Sequence, residues 1–118
     1  MGTLGSMRIL LLALLVAIAA VPLLAATETW NHVTLVDAMC AASIKANPDA
    51  HTTECALHCG AEGMGFLTAD GTFLKFDPAG TKQALAELKA TKKKDHLRAT
   101  VVGVRSGDTV TVQSVKLD

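Results

Sequence analysis

The chain has 118 residues, half of them apolar, with one Trp, three Phe and no Tyr, and its eleven Lys and Arg balance eleven Asp and Glu. A chain of that length makes one domain, which excludes a nucleotide-binding domain paired with a substrate domain. The charge balance offers no general field for attracting nucleic acid or an anionic membrane, so no nucleic-acid partner is expected.

The apolar residues are unevenly spread. Residues 1–26 hold 20 of the 59, which leaves 39 in the other 92 residues, an ordinary globular share of about 42%. Met7-Arg8 is followed by an apolar run from Ile9 to Val21, then Pro22 and Leu23-Leu24-Ala25-Ala26. A short positive start, an apolar stretch, a helix breaker and small residues before a polar segment predict a signal peptide, 1–26, cleaved after Ala25 or Ala26. The alternative is an uncleaved anchor, but 13 apolar residues fall short of the ~20 needed to span a bilayer. Residues 27–118 are then an exported domain, periplasmic or extracellular, with no stable membrane span after cleavage and a net charge of −1, from ten Lys/Arg against eleven Asp/Glu. Its three cysteines belong in an oxidising setting.

In chain order, Trp30 to Val36 is rich in strand formers and predicts a first strand. Asp37 can cap a short helix carrying Met39, Cys40, Ala41 and Ile44. Asn47-Pro48 stops it and starts a second, expected over Pro48 to Cys59, with Asn47 as N-cap and Gly60 past its end. Met64 to Ala69 and Thr72 to Asp77 flank Asp70-Gly71, a preferred pair for a two-residue hairpin turn. That turn pairs Leu67 with Leu74, Gly65 with Phe76 and Thr68 with Phe73. One face then carries Leu67, Ala69, Leu74 and Phe76, and the other Met64, Phe66 and Phe73. Asp77-Pro78 opens a helix with Thr81, Ala84, Leu85 and Leu88 on its apolar stripe. Lys92-Lys93-Lys94 follows its end, where positive charge suits the helix dipole. Leu97 to Arg105 and Thr109 to Leu117 predict a second hairpin. In its last strand the apolar phase shifts between Val112 and Val115, which suggests a bulge or a strand passing between two faces.

Five strands with a helix between the third and fourth is the order of an OB-like, partly open five-stranded barrel. The expected class is therefore α+β, mostly β: one domain, 27–118, with a helical Cys/His insertion at 38–63 between strands 1 and 2.

The chemistry concentrates in that insertion. Cys40, His51, Cys55 and Cys59 all lie within it, and His51-x-x-x-Cys55-x-x-x-Cys59 falls on one helical stripe. Cα atoms at i and i+8 stand ~12 Å apart, so only neighbouring members of the stripe readily share one metal ion. Cys40 supplies a ligand from outside the stripe. Three readings remain open. In one, Cys40 forms a disulfide with Cys55 or Cys59, closing a loop of 15 or 19 residues worth ~3 kcal/mol and leaving one thiol over. In another, the set is a Cys3His or Cys2His site for zinc or copper. In the third, Cys40 exchanges between two bridges as a thiol–disulfide redox accessory. Met39 and Met64 are soft candidates for extra ligation, though methionine also simply packs. Met64, Phe66 and Phe73 form a candidate packing or ligand face. No catalytic triad, carboxylate pair or phosphate loop stands out.

The opening Trp strand, Asp37-x-x-Cys40, His51-x-x-x-Cys55-x-x-x-Cys59, the Asp-Gly hairpin and the closing Gly107 to Val115 segment resemble small exported bacterial proteins of uncharacterised function. The resemblance implies an OB-fold-like barrel in which the Cys/His set is a shared core motif, carried here by Cys40, His51, Cys55 and Cys59, and it implies no activity. The expectation is a non-enzymatic exported binding domain whose partner is a metal ion or another protein, with a disulfide-stapled domain as the alternative.

Overall fold

The computed structural model describes residues 25–118. The expected leader lies outside the described residues apart from Ala25 and Ala26. Among the described residues no helix is long and apolar enough to cross a membrane. The elements are β1 (Glu28–Asp37), α1 (Thr53–Cys59), β2 (Met64–Leu67), β3 (Phe73–Phe76), α2 (Pro78–Ala90), β4 (Arg98–Ser106) and β5 (Thr109–Leu117), with single 3-10 turns at Pro48–Ala50 and Gly60–Glu62.

The strands close into a barrel in the order β1-β2-β3-β5-β4. All neighbours are antiparallel except β3 and β5, which run parallel through Lys75↔Thr109 and Phe76↔Val110. That parallel seam is short, but it completes the ring, so the barrel is closed rather than partly open. Two bulges bend the strands around it. Between Trp30 and Val33 the β1–β4 register shifts by one residue, and His32 there adopts φ 53°. In β5 the shift lies opposite Val102/Gly103: Val102 faces Ser114 while Gly103 faces Val112, which makes Gln113 the extra residue. Of the two readings of the apolar phase of β5, the bulge is the one present, and it keeps Val110, Val112 and Val115 all buried.

The first hairpin differs from its sequence-based register by one residue. Phe66 pairs with Leu74 and Leu67 with Phe73. The loop has three residues, because the Thr68 N–H donates to the Thr72 carbonyl at 2.9 Å and Gly71, at φ 84°, turns the chain back. A type I turn followed by a left-handed glycine is the three-residue alternative to the two-residue turn. The Thr68 hydroxyl donates to the Asp70 carboxylate inside that loop, a bond that holds the Asp70 carboxyl below the usual carboxylate range. A one-residue slip exchanges the faces of a strand. Met64, Phe66, Leu74 and Phe76 therefore fill the interior, while Leu67 and Phe73 face outward.

The core runs from Leu35 and Phe66 through Val101, Val110 and Val115 to Ala56 of α1 and Ala84 and Leu88 of α2. Trp30 and Phe76 flank the Phe66 ring at centroid distances of 5.3 and 5.8 Å. The helix α2 starts where expected: the Asp77 carboxylate accepts from the Gly80 N–H and from the Val112 N–H, both at 3.1 Å, so one side chain caps α2 and ties it to β5. A second, smaller cluster of Val36, Ala41 and Leu67, with Cys40, Ile44 and Phe73 against it, seats the 38–63 connection on the outer side of β1 and β2.

Candidate metal centre

Side chains alternate along β1, so Asp37 shares the inward side with Leu35 while Val36 faces the outer cluster. An aspartate with 0% exposure results at the end of the strand, where the chain leaves the barrel. One carboxylate oxygen accepts from the Cys40 N–H at 3.1 Å and caps the chain reversal. The expected short helix beyond it is instead a run of turns from residue 38 to 46. The capping role of Asp37 is retained, and it swings Cys40 back toward the strand end.

His51 arrives from the other side because the expected Pro48–Cys59 helix is broken. The 3-10 turn ends at Ala50, and both His51 and Thr52 are extended. Thr52, not Asn47, caps α1, its hydroxyl accepting from the Cys55 N–H at 3.1 Å. The break takes His51 off the stripe of Cys55 and Cys59. Its surroundings pin it there: Arg98 of β4 holds Asp49 at 2.7 Å just before it, and Thr53 just after it bonds the Lys93 and Lys94 carbonyls. His51 is 4% exposed.

One oxygen of Asp37, the sulfur of Cys40 and one ring nitrogen of His51 all lie within 4.8 Å of one another, forming a group that can hold a metal ion. Within it, Asp37 Oδ1 and His51 Nε2 stand 2.9 Å apart. That separation is an ion pair whose directions do not make a hydrogen bond, as is also true of Asp49 Oδ1 against Arg98 at 2.7 Å. Buried polar side-chain atoms without partners are exceptions in folded proteins. With the ring nitrogen deprotonated, a carboxylate oxygen, an imidazole nitrogen and a sulfur form a mixed O, N and S donor set that suits a borderline ion such as Zn²⁺, with Cu²⁺ as a competitor.

The same three residue types also occur around nucleophilic cysteines, but a nucleophile needs a lowered thiol pKa. Cys40 is shifted the other way. Burial, the adjoining Asp37 carboxylate and Cys59 together push its thiol up to about 11. Without a cation the thiol keeps its proton.

All three cysteines are free thiols. Cys59, half-buried, lies beside Cys40 but outside the compact group, and Cys55 is exposed. The structure thus brings together Cys40 and His51 of the four sequence candidates, with Cys59 adjoining and Cys55 apart. Met64 and Phe66 are wholly buried in the barrel, Phe73 packs outside it, and Met39 is 62% exposed. His32 and His96 lie at the surface, against Asp118 and against Asp95 and Asp49. Asp37 is the site residue that sequence reasoning treats only as a cap. The available signal was its phase, an acid at an inward position of a buried strand three residues before a cysteine. No protein-family model, no curated protein and no solved structure matches the chain.

Proposed function

We propose that the chain is a non-enzymatic, exported OB-like domain that binds a transition metal, zinc first and copper second, through Asp37, Cys40 and His51. The observation that carries this reading is the buried pair Asp37 Oδ1 and His51 Nε2, 2.9 Å apart without a hydrogen bond, with the Cys40 thiol within 4.8 Å. A cation at that point would satisfy both atoms and take the Cys40 sulfur as thiolate. Support for the OB-like label comes from the strand order β1-β2-β3-β5-β4 and from α2 between β3 and β4. Export is inferred from the leader pattern of residues 1–26. The resident groups have defined parts. Asp37 offers one oxygen to the ion while its other oxygen holds the Cys40 turn. Arg98, through Asp49, fixes the approach of His51.

The test is metal content. Protein purified under reducing conditions and dialysed against zinc should hold one ion per chain, with His51→Ala and Asp37→Asn losing it. Wild-type protein that stays metal-free, or His51→Ala protein that loads as well as wild type, would refute the reading.

A further inference from the structure

The two ends of the 38–63 connection meet. Asp37, the last residue of β1, pairs with Met64, the first of β2, and the Ala38 N–H donates to the Gly63 carbonyl at 3.0 Å. Cys40 lies three residues beyond one end and Cys59 five residues before the other, so strand pairing sets both at the base of the connection, where they neighbour each other as free thiols without standing at bonding distance. Both are half-buried, whereas Cys55, one helical turn earlier on α1, is exposed. Cys59 does not belong to the compact Asp37, Cys40 and His51 group; it adjoins that group through Cys40.

We infer that Cys40 and Cys59 are a dithiol that a disulfide-bearing oxidant converts to an intramolecular bridge, and that bridging takes Cys40 away from the metal and releases it. This rests on the metal reading of the same site and adds its regulation. The oxidant is a small-molecule disulfide, R–S–S–R. One cysteine sulfur attacks it, forming a protein–S–S–R mixed disulfide and expelling one R–S group as thiol. The other cysteine sulfur then attacks the protein sulfur of that mixed disulfide, forming Cys40–S–S–Cys59 and expelling the second R–S group. Starting from the loaded site, a Cys40 thiolate on the ion and a Cys59 thiol react with one R–S–S–R to give the bridge, one R–SH, one R–S⁻ and the free ion. The two cysteines are oxidised and one disulfide is reduced. A bridged sulfur carries no charge and is a far weaker ligand than a thiolate. Asp37 and His51 alone are then left at the site.

The experiment uses the full chain loaded with zinc and treated with oxidised glutathione. Zinc release is followed with a chromophoric chelator, thiols are counted, and the bridge is located by peptide mapping. Wild type and Cys55→Ser should lose zinc in step with the loss of two thiols, with the bridge at Cys40–Cys59. Cys59→Ser should bind zinc and keep it through the same treatment. A bridge that maps to Cys55, zinc retained by bridged protein, or Cys59→Ser releasing zinc as fast as wild type would each overturn the inference. Failure of the underlying metal reading is distinct: it shows as no zinc uptake under reducing conditions, before any oxidant is added. In His51→Ala, which lacks a zinc ligand, the Cys40–Cys59 bridge should still form.

Discussion

Asp37 Oδ1 and His51 Nε2 face each other at 2.9 Å inside the protein, and neither makes a hydrogen bond. They come from chain segments 14 residues apart that converge only because β1 ends inward and the helix after Pro48 breaks at His51. Asp37→Asn separates the two tasks of the carboxylate. The amide oxygen can still accept from the Cys40 N–H, so the turn should survive with near wild-type stability. Metal affinity should fall by more than the ~10–100-fold that loss of an outer-shell partner costs. Isothermal titration with zinc, alongside urea unfolding of the metal-free proteins, checks both halves.

Thiol reactivity should rank by position. Cys55 is exposed and should be alkylated first, and Cys40, with its thiol pushed from 9.0 up to about 11, should be last in metal-free protein. Two pH units correspond to about 100-fold less thiolate at neutral pH. The same shift has a sign for stability. Below pH 9.0 the thiol is protonated in both folded and unfolded chains; above it the unfolded thiol ionises first, so this contribution is lost as pH rises towards about 11. Timed iodoacetamide labelling with peptide mapping tests the ranking, and equal rates at Cys40 and Cys55 would contradict it.

Gly65 and Gly71 should respond to alanine for different reasons. A methyl on Gly65 would run into the Leu74 carbonyl oxygen and stand 2.7 Å from the Phe73 ring, so backbone must shift. Overpacking of that kind costs about 1–3 kcal/mol. Gly71 has open space around it but a φ of 84°, so Gly71→Ala should cost about 1–2 kcal/mol through conformation alone. Urea midpoints with an unchanged m-value would show both as stability effects.

His96 should titrate above the ordinary 6.5, chiefly through its hydrogen bond to Asp95 at 2.7 Å and then through Asp49. A raised folded value means that its contribution is present below pH 6.5 and is lost as pH rises through the folded value. Following the imidazole resonances by NMR, Asp95→Asn should bring the midpoint down further than Asp49→Asn does.

Much of the barrel was readable because its strands carry strong local signals. The β-branched runs of β1, β4 and β5, the Asp77-Pro78 helix start and the phase shift that becomes the Gln113 bulge all act within a few residues. The register of the first hairpin was not readable, because Asp70-Gly71 suits both a two-residue and a three-residue loop. The choice falls to the interior, which takes Phe66 and Leu74 on one side. The site was half readable. Cys40 and His51 were visible as ligand types, but the regular spacing of His51, Cys55 and Cys59 implied one continuous helix. Thr52 can cap a helix as well as continue one, and the structure uses it as a cap. Asp37 was hidden because capping accounts for an aspartate so readily, and its second oxygen becomes conspicuous only once its burial is known.

In the proposed site Asp37, Cys40 and His51 hold the ion while Cys55 stands apart. Cobalt(II) reports this directly, since a thiolate ligand adds a sulfur-to-cobalt charge-transfer band to the spectrum. When reduced wild type, Cys40→Ser and Cys55→Ser are titrated with Co²⁺, the band should appear in wild type and Cys55→Ser and be lost in Cys40→Ser. A band that persists in Cys40→Ser, or that disappears in Cys55→Ser, would contradict it.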